Sequence, residues 1–474
     1  MVTVTRNKKT WSSTCFSCSG RVLACSFTVI LFLVAVSVSL LLQDSLAESG
    51  TSAQQAGAVS ILHTPEHIAN GNIQDYISLP VLDDNATWHD IDARVQRAIA
   101  REINVPYGLM HQGYSPGHDV VMGLASYPQA MSTFRVLVGS LRKTGFDGHI
   151  ILGVHPQIPQ DEQEYLKKMD VTLYAVEFAD CDESLMAGTD QGNFVRAKCS
   201  KGIEYLTLEK GRFEMKRQWL HACKECTGWV LAMDTRDAFF QAPPFSGMPP
   251  PDDSPYDLLF IEEVAPYSQP NKPNKRDNIP ILSNSFYQGS DAGCYGHDFH
   301  KKYGDRAVLC SGTIIGNRKG MDRFLAVFVD EFLENNSKSL EICRSSETPD
   351  QLILQPMYYS GRFGDYERTR TSPWGTGPVN TIGIPCVDSR DKSAPVYGAL
   401  DLTEFDSETG LILNLNLNDG HPSRISPIVH QFDRCTAWIK PFFEKYDEKL
   451  FGGVNTPLDD VKPVPWLEER QNEN

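Results

Sequence analysis

From Asp119 onward, apolar runs of strand length alternate with segments of helical periodicity, and that order leaves few folds open. Val120–Ala125, His149–Val154 and Val171–Val176 read as strands, with helices over Gln129–Lys143 and Asp161–Met169 between them. Arg212–Cys223 reads as a helix leading into Trp229-Val-Leu-Ala-Met-Asp234, while Leu258–Glu262 and Val308–Gly316 add two strands and Met321–Glu334 a further helix. Runs this apolar are strands covered on both faces, as in parallel sheets, where each crossover needs a helix. The predicted architecture is α/β: a mixed, mostly parallel sheet with helices on both faces.

One strand ends in chemistry. Trp229–Asp234 is followed by Thr-Arg-Asp237, then by the aromatic piece Ala238-Phe-Phe and a Pro turn. Open α/β sheets bind ligands outside the carboxyl ends of their strands, where Asp234 and Asp237 fall. Neighbouring carboxylates repel unless a cation sits between them, and hard ions such as Mn²⁺ or Mg²⁺ share oxygen ligands with substrate phosphates. The pair therefore points to a metal–diphosphate site. The plainer reading is a solvated turn in which Arg236 neutralises the acids.

Ahead of the alternation the chain has a different character. Val22–Leu42 carries no charge and is long enough to cross a bilayer as a helix. Arg6, Lys8, Lys9 and Arg21 precede it, whereas Asp44 and Glu48 follow, so the positive-inside rule places the N-terminus in the cytosol and the rest in a lumen. Ser45-Leu-Ala47 resembles a signal-peptidase site, but the apolar block is longer than a signal peptide's core, which favours an uncleaved anchor. The organisation read from sequence is a cytosolic tail over 1–21, a signal anchor over 22–42, a stem over 43–86, a luminal domain over 87–451 and a flexible tail over 452–474. Trp88, Ile91, Val95, Ile99 and Ile103 recur at helical spacing, marking a packing helix at the domain's start.

The net charge of −16 argues against a nucleic-acid partner. Of the 12 cysteines, those beyond the anchor suit an oxidising compartment, with their connectivity open. Cys223-Lys-Glu-Cys226 is half of a zinc pattern without its second half, so a disulfide or buried thiols are the expectation. Asn85-Ala-Thr87 and Asn335-Asn-Ser337 are glycosylation sequons. The long stretches Pro243–Pro255, Pro266–Cys294 and Gly361–Ala399 are candidates for acceptor loops, with Tyr256, Tyr267, Phe286 and Tyr287 as possible sugar-stacking rings or simple anchors.

Taken in order, these pieces resemble the GT-A class of nucleotide-diphospho-sugar glycosyltransferases over about residues 117–447. The resemblance is carried by Val120–Val154 with Ser126-Tyr-Pro128 at the first strand end, by Met233-Asp234-Thr-Arg-Asp237, by Cys310-Ser311-Gly312-Thr-Ile-Ile-Gly316, by Pro349-Asp350-Gln351-Leu-Ile-Leu354 and by Ser426-Pro-Ile-Val-His430-Gln-Phe-Asp433. It implies a metal held by Asp234, Asp237 and His430, with Asp237 as the direct ligand and Asp234 as ligand or supporting group, because the family's Asp-x-Asp is Asp-x-x-Asp here. Asp433 would accept a hydrogen bond from the His430 ring. Donor contacts are expected at Ser126, Arg212, Arg217, Ser311 and Gly312, and Asp350 and Gln351 are expected beside the reacting centre. Plainer roles exist for each: a core His430, a solvated cationic helix face for Arg212, Lys216 and Arg217, and a dipole-stabilising Asp350.

The resulting expectation is a Golgi or ER type II membrane enzyme. It would move a sugar from a nucleotide-diphosphate donor to a glycan or glycoprotein acceptor, with Mn²⁺ or Mg²⁺ as cofactor. Two alternatives come from other classes. A noncatalytic carbohydrate-binding or scaffold protein fits the altered Asp spacing, and a glycosidase would need two carboxyl groups facing across a cleft without nucleotide or metal.

Overall fold

The computed structural model describes residues 87–104, 106, 108–126, 131–182, 185, 197–263, 301–304, 306–337, 349–374, 377–382, 403–405, 411–415, 422–434 and 456–473. All of them belong to one compact unit, Pro65–Asn474. Among the described residues no helix is long and apolar enough to cross a membrane; Val22–Leu42 lies outside them.

Helix α1 (Trp88–Ala100) opens the described chain, capped by a Thr87–Asp90 box. Strands β1 (Leu109–His111) and β2 (Val120–Ala125) follow, then a helical stretch, α2 (131–143), whose middle turn Arg135–Gly139 is π-helical. Next come β3 (His149–Val154), α3 (Gln160–Lys168) and β4 (Thr172–Ala175). Three short strands, β5 (Phe178–Ala179), β6 (Cys199–Ser200) and β7 (Ile203–Thr207), lead into α4 (Leu208–Ala222). Strands β8 (Trp229–Asp234), β9 (Ala238–Phe240), β10 (Leu258–Glu263) and β11 (Val308–Asn317) precede α5 (Arg318–Ser337) and α6 (Asp350–Tyr359). The remainder is β12 (Thr369–Ser372), β13 (Val379–Thr381), β14 (Thr403–Phe405), β15 (Ile412–Leu415), β16 (Pro422–Ile425), β17 (Ile428–His430) and α7 (Pro465–Glu473).

The central sheet has eight strands in the order β1-β4-β3-β2-β8-β11-β10-β12. Strands β4, β3, β2 and β8 run parallel, as do β10 and β12; β11 is antiparallel to both of its neighbours and β1 to β4. The mixed, mostly parallel sheet read from the sequence is therefore present. The period of two sends Val120, Met122 and Leu124 into one core and Val121 and Ala125 into the other. The first core is closed by α1, α4, α5 and α6, where Phe213, Phe324, Phe328 and Phe332 interlock. Each such ring contributes about 1.5–3 kcal/mol by leaving water. The second core is closed by α2 and α3 on the opposite face.

Three expectations change. Residues 456–473 are not a loose tail: Val461 and Val464 are buried, Trp466 Nε1 and Arg470 donate to Asp170 Oδ2 at 3.1 and 2.9 Å, and the Arg142 guanidinium lies over the Trp466 ring. A few apolar side chains docked onto an existing core need no periodicity of their own. The Asn335 sequon is closed, because that side chain is fully buried in α5; Asn85 lies outside the described residues. Tyr256 is buried against Trp229 and is a loop anchor, not a sugar platform; Tyr267, Phe286 and Tyr287 lie outside the described residues. The cysteine reading holds: Cys223–Cys226 is a disulfide, Cys181–Cys199 is a second, and Cys310 is a free, buried thiol.

Candidate active site at the carboxyl edge of the sheet

Strand β8 ends at Asp234, and the chain turns sharply to begin β9. Gly123 of β2 makes that turn possible: a Cβ there would stand 2.3 Å from the Thr235 methyl. Thr235 Oγ1 in turn donates to the Leu124 carbonyl at 2.8 Å, tying the turn to β2. Strand β9 pairs antiparallel with β17, placing His430 opposite Ala238, and the Gln431 N–H donates to the Asp237 carbonyl at 2.6 Å. This pairing brings Asp237 and His430 together across nearly two hundred residues. Gln431 takes a left-handed backbone (φ 62°) to leave the strand, a conformation that non-glycine residues adopt mostly at constrained sites.

The ligand atoms of Asp234, Asp237 and His430 all lie within 4.8 Å of one another. His430 Nε2 is buried, makes no hydrogen bond to the described residues and stands 3.5 Å from Asp237 Oδ1. Its Nδ1 faces Cys310 Sγ at 3.5 Å. Burial opposes a charge on this imidazole, but Cys310 and the Asp237 carboxylate beside it outweigh that and hold the ring's pKa well above the ordinary value. Gly312 of β11 closes the cluster from below, for a Cβ there would meet His430 Cε1 at 2.6 Å and Asp234 Oδ2 at 2.9 Å. Two hard carboxylates, one buried imidazole whose Nε2 faces Asp237 without a hydrogen bond to the described residues, and a glycine that keeps the space clear form a set suited to a hard or borderline divalent cation.

A second network adjoins this cluster. Arg212 of α4 donates through Nη1 to Asp234 and through Nη2 to Asp350 at the start of α6. Burial disfavours the Arg212 charge, yet Asp234 and Asp350 more than compensate and raise its pKa. Ser311 Oγ donates to Asp350 Oδ1 at 3.1 Å, and the Asp350 N–H donates to Glu209 at 3.3 Å. One turn beyond Arg212, Lys216 Nζ donates to the Met233 carbonyl at 3.3 Å, and burial together with the Arg212 charge pulls this amine down to about 7. Gln351 donates through Nε2 to Glu263 Oε2 at 2.5 Å and to the Leu309 carbonyl at 3.0 Å. A carboxylate only accepts, so the amide nitrogen must face Glu263, and Oε1 is what Gln351 has left to offer a ligand. Ser126, at the end of β2, is buried with an Oγ that makes no hydrogen bond to the described residues.

Of the residues singled out in the sequence, Asp234, Asp237, His430, Arg212, Asp350, Ser311 and Gly312 therefore form one continuous constellation. Arg217 does not join it. Its Nε donates to Asp322 at 2.9 Å and its Nη2 to the Ile99 carbonyl at 2.8 Å, so it clamps the end of α1 to α4 and α5. Each helical residue turns about 100°, which sends Arg217 away from the face shared by Arg212 and Lys216. Asp433 does not support His430 either: it pairs with Arg236 at 3.2 Å, and Cys310 takes the place beside the imidazole. Glu263, absent from the sequence reading, is a buried carboxylate held by Gln351 and, at 3.0 Å, by Gln431 Nε2. The signal for it existed, since Glu262-Glu263 ends an apolar run as Asp234 does.

No protein-family description matches this chain, and no curated protein does either. Among solved structures it is similar to the galactosyltransferase LgtC in complex with donor and acceptor sugar analogs, at 11% identity over 75% of this chain and 100% of that one, with a TM-score of 0.36. It is also similar to the mannosyltransferase Ktr4p from S. cerevisiae in complex with GDP, at 10% identity over 65% of this chain and 85% of that one, with a TM-score of 0.31. At such identities and scores, what the site can do is carried by this chain's own residues.

Proposed function

We propose that this chain is a metal-dependent glycosyltransferase of the GT-A type, moving a sugar from a nucleotide-diphosphate donor to a glycan or glycoprotein acceptor. The observation that carries the reading is the buried cluster Asp234, Asp237 and His430, joined through Arg212 to Asp350. Mn²⁺ or Mg²⁺ held there would supply Lewis-acid neutralisation of the departing diphosphate. The protein's own part is positional. Asp234 and Asp350 hold the Arg212 guanidinium where anionic oxygens would meet it, and Ser311 fixes the Asp350 carboxylate. Gln351, with its amide nitrogen engaged by Glu263 and the Leu309 carbonyl, has its side-chain oxygen left to offer a ligand. Ser126 offers a buried hydroxyl to the donor at the end of β2.

The acidic chain, its cysteine usage and the basic tail before Val22–Leu42 support placement as a Golgi or ER type II membrane protein, with this site luminal. In sealed microsomes the C-terminus should resist protease and Asn85 should carry the glycan; a digested C-terminus overturns the topology.

The activity is tested by supplying the detergent-solubilised full chain with a panel of nucleotide sugars, with and without Mn²⁺, alongside His430→Ala. Sugar release or transfer that requires the cation, and needs much more of it in His430→Ala, supports the reading. Turnover indifferent to metal, or a variant with an unchanged half-saturating Mn²⁺ concentration, overturns it.

A further inference from the structure

At the opposite, amino-terminal edge of the sheet lies a second group of metal-ligating side chains. His149 begins β3, Cys223 caps the carboxyl end of α4, and Cys226 sits in the loop before β8. The ligand atoms of these three side chains lie within 4.8 Å of one another. The two sulfurs are joined as a disulfide. His149 is 5% exposed, and its Nε2 has no hydrogen-bond partner among the described residues. A buried imidazole nitrogen without a partner is uncommon, because leaving it dry and unbonded is unfavourable. The other disulfide, Cys181–Cys199, has no His, Asp or Glu completing such a group among the described residues.

The turn that carries the cysteines is held without the sulfur–sulfur bond. Arg318 donates to the carbonyls of Leu220, Cys223 and Cys226 at 2.8, 2.7 and 2.6 Å. Beyond the turn, the Gly228 N–H donates to the His118 carbonyl at 3.0 Å and the Trp229 N–H to Asp119 Oδ1 at 2.7 Å. Opening the disulfide therefore leaves both sulfurs beside His149.

We propose that Cys223, Cys226 and His149 form a redox-gated site for a borderline divalent cation of the Zn²⁺ type, closed as the disulfide and opened by reduction. A dithiol reductant passes two electrons and two protons to the sulfur–sulfur bond and closes to its own disulfide. The two thiols then lose their protons as Zn²⁺ binds, giving two thiolate bonds and one imidazole bond, with water in the fourth position. Two thiolates balance the dication, so a buried site gains no net charge. Tetrahedral zinc with ordinary bond lengths sets such ligands roughly 3.5–4 Å apart, within side-chain rotation of the present arrangement. The carbonyl end of α4 adds a favourable dipole for a cation.

The test uses the full chain, treated with a phosphine (which becomes its oxide, water supplying the oxygen and the two thiol protons), stripped by a chelator and titrated anaerobically with Co²⁺. One equivalent should produce thiolate-to-cobalt charge-transfer absorption that Zn²⁺ displaces and that unreduced protein lacks. Cys226→Ser should lose that absorption whatever the remaining thiols contribute. His149→Gln, with an unchanged circular-dichroism spectrum, should need at least about tenfold more Co²⁺. Equal absorption in Cys226→Ser, unchanged affinity in His149→Gln, or a reduced protein that loses its fold and does not recover it with metal would each overturn the proposal. None of these results depends on glycosyl transfer.

Discussion

The two edges of the central sheet treat their arginines in opposite ways. At the amino edge, Arg142 is fully buried and donates to four backbone carbonyls, those of Phe146, Gly148, Met169 and Asp170. Arg318 satisfies three more, and Asp119 accepts the Trp229 N–H. At the carboxyl edge, Arg212 pairs with two carboxylates, and His430 Nε2 is buried without a hydrogen bond to the described residues. Charge that meets backbone acceptors fixes loops, whereas charge that meets other charge, beside an orphaned nitrogen, is arranged for something that arrives. His149 departs from that pattern at the amino edge, its buried Nε2 having no hydrogen-bond partner among the described residues, and it carries the second site.

The largest effect should come from Arg142→Met. Burial pushes this guanidinium down to about 9, so removing the charge alone is favourable, but four buried carbonyls lose their donor. At about 1–3 kcal/mol for each strained or unsatisfied group, the net loss should be about 3 kcal/mol or more in denaturant unfolding. Kinetics of the surviving folded enzyme should stay intact. A variant as stable as the wild type would break the contrast between the edges.

Next in size is Asp237→Asn, which keeps the shape of the buried side chain proposed as a ligand while removing its charge. Metal-supported turnover should fall by more than about 100-fold, given that even supporting groups around metals are worth about 10–100-fold, and the melting temperature should barely move. Asp234→Asn should be milder, because Asp234 is the more exposed of the two and shares its charge with Arg212. Full activity in Asp237→Asn removes the carboxylates from the chemistry.

Much of this is legible in the sequence, and the reasons are specific. The strand at Trp229–Asp234 and the faces of β2 follow from apolar run length and a period of two. The direction of β11 is not legible, since an apolar run looks the same parallel or antiparallel. Nor is the meeting of Asp237 with His430, which depends on the three-residue strands β9 and β17, too short to show a period. Arg212 and Arg217 are indistinguishable because α4 is buried on nearly every side, leaving no polar stripe to orient it. The docked C-terminal segment escapes a sequence reading because its few apolar residues, Val461, Val464 and Trp466, complete a core that other elements build.

A smaller effect should follow from Glu263→Gln. An amide in place of the carboxylate presents a donor as well as an acceptor to Gln351 and Gln431, so the Gln351 amide loses its single enforced orientation. Glu263 is a positioning residue in this view, and kcat should drop about 10-fold with KM for the donor little changed. Glu263→Asp, which keeps the charge, should recover part of it. A change in stability alone, with kcat untouched, would make Glu263 purely structural.

The smallest effect sharpens the comparison most. Arg236 reaches toward Asp237 Oδ2 at 3.5 Å and Asp433 at 3.2 Å from a side chain that is 53% exposed. If the acids of the turn exist to be neutralised by their own neighbour, as the plainer sequence reading has it, Arg236→Ala should leave Asp237 uncompensated and destabilise the turn. If they exist for a cation, an exposed ion pair contributes about 0–1 kcal/mol, and Arg236→Ala should unfold at nearly the wild-type denaturant midpoint. Without a competing guanidinium, Asp237 should then bind Mn²⁺ equally well or slightly more tightly, an effect that shrinks as salt screens the exposed charge. A large loss of stability, or weaker Mn²⁺ binding in Arg236→Ala, would return the turn to the ordinary surface and leave the carboxyl edge no different from the amino one.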